Sequence, residues 1–364
     1  MHCTATAMVF SLYLVVAISC LSPGNTVSTT MVDTLTAIGP VVISDTVSND
    51  SDDPAIWINK SNPAESLVIG TDKGGDDGDG GLHVFSLQGK EIMEKRVSGL
   101  KRPNNVDVAY GFVLSGQPVD IAVCTERGTN SIRVFTLPGM RPVDHGGIPV
   151  FEEESLRAPM GIALYTSPEK KIYAIVGRKN GVNGSYLWQY ELKDDGRGNV
   201  TGTVVRAFGA YSGKKEIESI AVDNELGYVY YSDEGVGVRK YHAHPDRPDK
   251  ELSLFATEGF TEDHEGISIY KTGKASGYII VSDQGADKFH IFTREGSRIS
   301  PHDHQLLRIV KVSAHQSDGS EVTSFPLPGF PEGLFVAMSD DKTFHFYDWG
   351  SMIGREQMVL DSGR

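Results

Sequence analysis

Acidic and amide residues recur just ahead of short apolar runs along this 364-residue chain, and a second set of charged residues follows the runs. The first set is Asp52 and Asp53 in SDDPAIW, Asn104, Asn105 and Asp107 in RPNNVDV, Glu216 and Glu218 in KEIESIA, Asp263 and Glu265 in EDHEGIS, and Asp318 in SDGSEV, with Met160 alone at the matching place in APMGIAL. The second set is Lys73, Arg127, Arg178 with Lys179, Asp233 with Glu234, Asp283 with Gln284, and Asp340 with Asp341. Taken singly, each is an ordinary solvated loop residue. Gathered at one place, so many like charges repel unless something positive sits among them. Carboxylate and amide oxygens without a His or Cys cluster suit calcium ions. Calcium flanked by Lys and Arg makes a site for a highly phosphorylated anion. Covalent phosphate chemistry lacks its parts. Cys124 is followed by TERGTN, which lacks the arginine that a thiolate phosphatase needs six residues after its cysteine, and neither an RHG histidine nor a DxDxT aspartate occurs. Water activated by metal is what remains.

The elements that must position these residues are strands. Two-residue alternation appears in paired runs split by polar turns: LVIGTDK with GLHVFSL, VDIAVCTERG with SIRVFTL, KIYAIVGRKN with SYLWQYEL, YVYYSDEG with VRKYHA, YIIVSDQG with KFHIFTREG, and LFVAMSD with TFHFYDWG. The first members begin at Leu67, Val119, Ile172, Tyr228, Tyr278 and Leu334, and a period near fifty residues means propeller blades or a solenoid. A further short apolar strand precedes each pair, least clearly at VTSFPL. An inner strand, a hairpin and an outer strand make a four-stranded blade. The expected fold is therefore all-β, a six-bladed β-propeller of antiparallel blades around a central channel. A β-solenoid would use shorter coils. In a blade, the start of the first strand and the end of the second lie on one face, so both sets of residues surround one channel mouth.

Forty glycines fit many tight turns, and 23% charged with 39% apolar residues describes a soluble protein with a core. The first 32 residues carry no charged side chain, so the net charge of −14 belongs to the rest and disfavours nucleic acid and anionic membranes as partners. The apolar run Ala7 to Cys20 is too short to span a bilayer but long enough for a signal-peptide core. The expected organisation is a leader over 1–30, with a lipoprotein-type Cys20 as the lesser alternative, a propeller over 31–352 and a tail over 353–364. Cys124 is the one cysteine outside the leader, so no intrachain disulfide is expected. The expected protein is a secreted monomer.

The motifs DDPAIW, TDKGG, RPNNVDV, GRKNGVNGSYLWQYEL, AVDNELGYVYYSDE, DHEGISIY, SDQGADKFHIF and FPEGLFVA, in this order, resemble the β-propeller phytases over nearly the whole chain after the leader. The resemblance implies a calcium-dependent phosphomonoesterase acting on phytate or its calcium complex, by attack of a calcium-activated water. It implies Glu218, Asp263, Glu265 and Gln284 as ligands of catalytic calcium ions, and Asp53 with the Pro54 and Val106 carbonyls as a separate stabilising calcium site. Lys73, Arg127 and Arg178, with Lys179 beside them, fall where phosphates are held. Glu234 matches an acid beside the phosphate to be cleaved, and Asp318 a further acid in the last blade. The chain departs from the family at Ala37 or its neighbours, where an acidic ligand is usual; either a calcium is bound more weakly there, or Asp45 or Asp50 substitutes. It departs again at Met160, usually a tyrosine, and at Ser219, usually a glycine. Two other readings of the architecture are a calcium-centred lactonase or organophosphate hydrolase, which would need no ring of cations, and a non-catalytic propeller that binds a protein or glycan.

Overall fold

The structure is a computed structural model that describes residues 35–75, 78–261 and 263–354, so the expected leader, Cys20 and most of the expected tail lie outside the described residues. Six antiparallel sheets follow one another along the chain. Blade 1 runs Ser51–Trp57, Leu67–Asp72, Gly80–Ser86 and Val97–Leu100. Blade 2 runs Pro103–Leu114, Gln117–Glu126, Ser131–Leu137 and Ile148–Pro149, with Arg141–Pro142 beside it. Blade 3 is Pro159–Thr166, Ile172–Arg178, Leu187–Asp194 and Val200–Phe208, and blade 4 is Ile220–Asp223, Tyr228–Asp233, Gly237–His242 and Ser253–Phe255. Blade 5 is His264–Lys271, Gly277–Asp283, Lys288–Thr293 and Leu306–Lys311. Blade 6 takes Ser320–Thr323, Leu334–Ser339 and Thr343–Asp348 from the end of the chain and its outermost strand, Val42–Ile43, from the beginning. The fold is thus the expected six-bladed propeller, and the ring is closed by hydrogen bonds between its two ends, with Val42 opposite Phe346 and Ile43 opposite His345.

Alternation gives every blade two apolar faces, and each face packs on the next blade. In blade 3, Ile162, Leu164, Ala174 and Val176 join the core shared with blade 2. Their sequence neighbours Ala163, Tyr165, Tyr173 and Ile175 join the core shared with blade 4. Six such clusters fill the six junctions, including the one between blades 6 and 1, where Phe344 and Phe346 meet Val68 and Phe85. Burial between blades, rather than in a single central core, supplies the hydrophobic stabilisation.

One backbone hydrogen bond is repeated in every blade at the channel mouth. The amide after each second strand donates to the carbonyl just ahead of the first strand: Lys73 to Asp50, Arg127 to Arg102, Lys179 to Ala158, Glu234 to Glu216, Gln284 to Asp263 and Asp340 to His315, at 2.8–3.3 Å. Beyond that carbonyl the first strand slips register by a bulge, between Ser51 and Pro54, Pro103 and Val106, Pro159 and Ile162, and His264 and Ile267. The bulges bring neighbouring first strands close together. At Gly161 a Cβ would lie 1.8 Å from the Glu218 carbonyl oxygen, a backbone atom with no room to yield. Gly161→Ala is therefore expected to destabilise the fold by about 1–3 kcal/mol, read as a lowered unfolding temperature. An unchanged melting curve would contradict this account of how blades 3 and 4 meet.

Candidate functional site

The bulged residues form an inner ring of polar side chains. Asn104 Nδ2 donates to Asp52 Oδ2 and to Glu218 Oε1, both at 3.1 Å, joining blades 1, 2 and 4. Lys73 Nζ lies 3.2 Å from Asp52 and 3.1 Å from Asp318, which draws in blade 6. Gln284 of blade 5 donates to Asp318 as well. Carboxylate oxygens of Glu218, Glu234 and Glu265 all lie within 4.8 Å of one another, and all three residues are buried. At blade 3 the ring position is Met160, whose sulfur touches the Arg127 guanidinium.

The residues after the second strands form an outer ring, and the repeated backbone bond places Lys73, Arg127, Lys179, Glu234, Gln284 and Asp340 at equivalent positions in it. The residue before each is an anchor turned back into the blade. Asp72 accepts the amides of Ser48, Asn49 and Asp50. Glu126 accepts Lys101 N, Asp233 accepts Ser212 N and Asp283 accepts Thr261 N. Arg178 holds this anchor position in blade 3 with the polarity reversed, donating to the Leu156 and Ser185 carbonyls. It is fully buried, 4.7 Å from the Phe151 ring centroid and 3.2 Å from Glu154. Of the cations named from sequence, the structure therefore brings Lys73, Arg127 and Lys179 to the mouth and does not bring Arg178. Lys179 lines an open cavity of about 440 Å³ with Tyr211, Lys214, Lys215, Glu234 and Glu265. Lys214 and Lys215 sit in a loop outside the strand repeat, so alternation gave no signal for them.

Asp263 and Gln284 also reach the mouth, Asp263 bound to Lys215 and Gln284 to Asp318. Deeper in the channel, Asp53, Pro54 and Val106 line a cavity of about 210 Å³ together with Asn105, Asp107 and Glu321. Asp53 accepts the Val106 amide at 3.0 Å, and burial pushes its carboxyl well above the usual range. Glu321, unmarked by the sequence pattern, is pushed up to about 8 by burial and by Asp107. Of the two residues considered as substitutes near Ala37, Asp45 is held by Lys90 at 2.7 Å, whereas Asp50 lies at the exposed edge of the mouth, its amide bound to Asp72, its carbonyl accepting the Lys73 amide and its charge felt by Asp52.

Burial dominates the electrostatics of the mouth. It raises Asp52 to about 6, against the opposing pull of Lys73. It raises Glu218 to about 8, reinforced by Asp52, and Glu234 to about 9, reinforced by Glu218 and Glu216. Glu265 rises well above its ordinary value for the same reasons. Lys73 loses by burial but gains more from Asp52, Glu218 and Asp318, and ends above the ordinary lysine value. Oxygens of Glu234 and Glu265 are buried without a hydrogen-bond partner among the described residues. Hard, converging, unsatisfied oxygens fit a divalent cation of the calcium type.

A propeller whose axial mouth joins a buried acidic cluster to a basic rim defines a protein suited to anionic, oxygen-rich ligands. Residues 3–349 match the model of the Phytase family. A 3-phytase of Bacillus subtilis (strain 168) is 31% identical over 302 residues, covering 80% of this chain and 75% of the relative. The chain belongs to the phytase family.

The raised carboxyls fix a pH dependence. A carboxyl with a raised folded-state pKa stabilises the fold while the unfolded chain remains protonated, and that contribution is lost as pH climbs from the unfolded value near 4.5 through the folded one. Chelated protein should therefore melt at progressively lower temperature from pH 5 to pH 9, and a divalent cation should restore most stability at the alkaline end. A melting temperature of chelated protein that is flat or rises across that range would contradict the placement of Glu218 and Glu234.

Proposed function

We propose that the protein is a calcium-dependent phosphomonoesterase that releases phosphate from phytate, myo-inositol hexakisphosphate. The observation that carries this reading is the convergence of Glu218, Glu234 and Glu265 beside Lys73, Arg127 and Lys179 at the mouth of a phytase-family propeller. Such a rim is superfluous for an uncharged lactone. Family membership weighs against a purely binding role.

Glu218, Asp263 and Glu265, with Gln284 and Asp318 near them, are the residues that would hold calcium at the mouth; Asp53 and the Pro54 and Val106 carbonyls would hold it in the channel. Bound calcium would supply positive charge against phosphate oxygens and lower the pKa of water. Lys73 stays protonated across the physiological range and is pinned by Asp52 and Asp318, so its charge is in place before substrate arrives. Arg127 can pair two oxygens of a phosphate. Lys179, half exposed and 3.3 Å from Glu216, can turn to a neighbouring phosphate across the cavity. Glu234, with one buried oxygen unpartnered, is placed to hold the proton that the leaving alcohol oxygen takes up. The uncharged, apolar Ala7–Cys20 run supports action outside the cytoplasm, as a secreted protein.

Incubation of the purified full chain with phytate should release phosphate with calcium and lose that activity in chelator. Calcium binding without release from phytate would overturn the reading. Lys73→Ala and Lys179→Ala should each lower turnover, by about 10²- to 10³-fold for the better-placed donor; the melting temperature should change little in Lys179→Ala, whose lysine is half exposed, and fall in Lys73→Ala, which strips Asp52 and Asp318 of their counter-charge. Arg178→Ala should chiefly lower the melting temperature, because its guanidinium packs inside the blade. A fully stable Arg178→Ala variant with lost activity would return that residue to the rim.

A further inference from the structure

Asp263 has a cation of its own. Both of its carboxylate oxygens lie against Lys215 Nζ, at 2.5 and 2.6 Å. Lys215 is half exposed, and Asp263 is largely covered.

The lysine is delivered there by a built loop. Ser212 is tied to Asp233 through its amide at 2.9 Å and its hydroxyl at 2.7 Å. Arg239 holds the same carboxylate at 2.8 Å, so the loop is fastened to a buried ion pair of blade 4. Tyr211 packs on Tyr186 with ring centroids 4.3 Å apart, and its hydroxyl donates to the Lys215 carbonyl. The neighbouring Lys214 turns elsewhere, to the Gly235 carbonyl at 3.2 Å. The placement of Lys215 thus follows from four anchored contacts and not from the preference of a loose side chain.

We propose that Lys215 is an internal counter-cation that competes with calcium for Asp263 and so sets the calcium concentration at which the mouth fills. The proposal rests on the calcium reading given above. An ammonium across both carboxylate oxygens and a divalent ion on the same oxygens exclude each other by contact and by like charge. Filling the site must therefore break the Lys215–Asp263 pair.

Calorimetric titration of calcium into the full-length, chelator-stripped chain tests this directly. Lys215→Met should bind calcium roughly three- to tenfold more tightly than wild type. Lys215→Arg, which can still span the carboxylate, should bind no more tightly than wild type. Lys214→Met removes the same charge from the adjacent residue and should change affinity less than twofold. Circular dichroism of each variant checks folding. Wild type binding calcium with Lys215→Met unchanged, or Lys214→Met tightening as much as Lys215→Met, would overturn this proposal alone. No calcium binding by wild type or by Lys215→Met would overturn the calcium reading and the proposal with it.

Discussion

A single backbone hydrogen bond, made six times, governs the mouth of this propeller. It ties the amide after each second strand to the carbonyl ahead of each first strand. Because the blades are arranged around an axis, six copies of a local contact become two concentric rings of side chains. The rings face one another only if the circle closes, and closure depends on Val42–Ile43 pairing with Phe346 and His345 at the other end of the chain. Site and fold therefore share one requirement: a short N-terminal strand must find its place in the last blade.

Closure has an electrostatic cost. Asp52, Glu218, Glu234 and Glu265 are stripped of water at short range, and burial heads the causes that raise each of them. Two kinds of positive charge answer this. Lys73 is built in, held between Asp52 and Asp318, and Lys215 performs the same service for Asp263 at the more exposed edge. The carboxylate oxygens of Glu218, Glu234 and Glu265 still converge, and Lys73 and Lys215 only partly offset their burial. On the reading proposed above, a divalent ion is the partner of that pocket, and a phosphate group is the ligand that ion and basic rim would take together.

The blades were legible in the sequence because each strand packs on both faces, so Ile162-Ala163-Leu164-Tyr165 and its counterparts alternate in direction while remaining apolar throughout. Closure was less legible, since a two-residue strand such as Val42–Ile43 carries almost no periodic signal. Most of the acidic ring could be read from its recurrence at blade starts. The cation of blade 3 could not be assigned by type alone, because Arg178 and Lys179 are adjacent and chemically alike. Their difference is one step of register: Asp72, Glu126, Asp233 and Asp283 all end their strands as anchors, and Arg178 is their counterpart, leaving Lys179 to face the mouth. Lys215 lay beyond sequence reasoning because its position depends on how Tyr211, Ser212 and Asp233 fold one loop.

The central claim is that the mouth receives a cation on carboxyls raised by burial, Glu218 above all, and releases protons as it does so. Calcium titrations at pH 7 in two buffers of different ionisation enthalpy measure it, since the difference in apparent heat counts the protons released. The account predicts release of about one proton or more per chain in wild type, and clearly fewer in Glu218→Gln. Calcium binding with no proton release in wild type would contradict it.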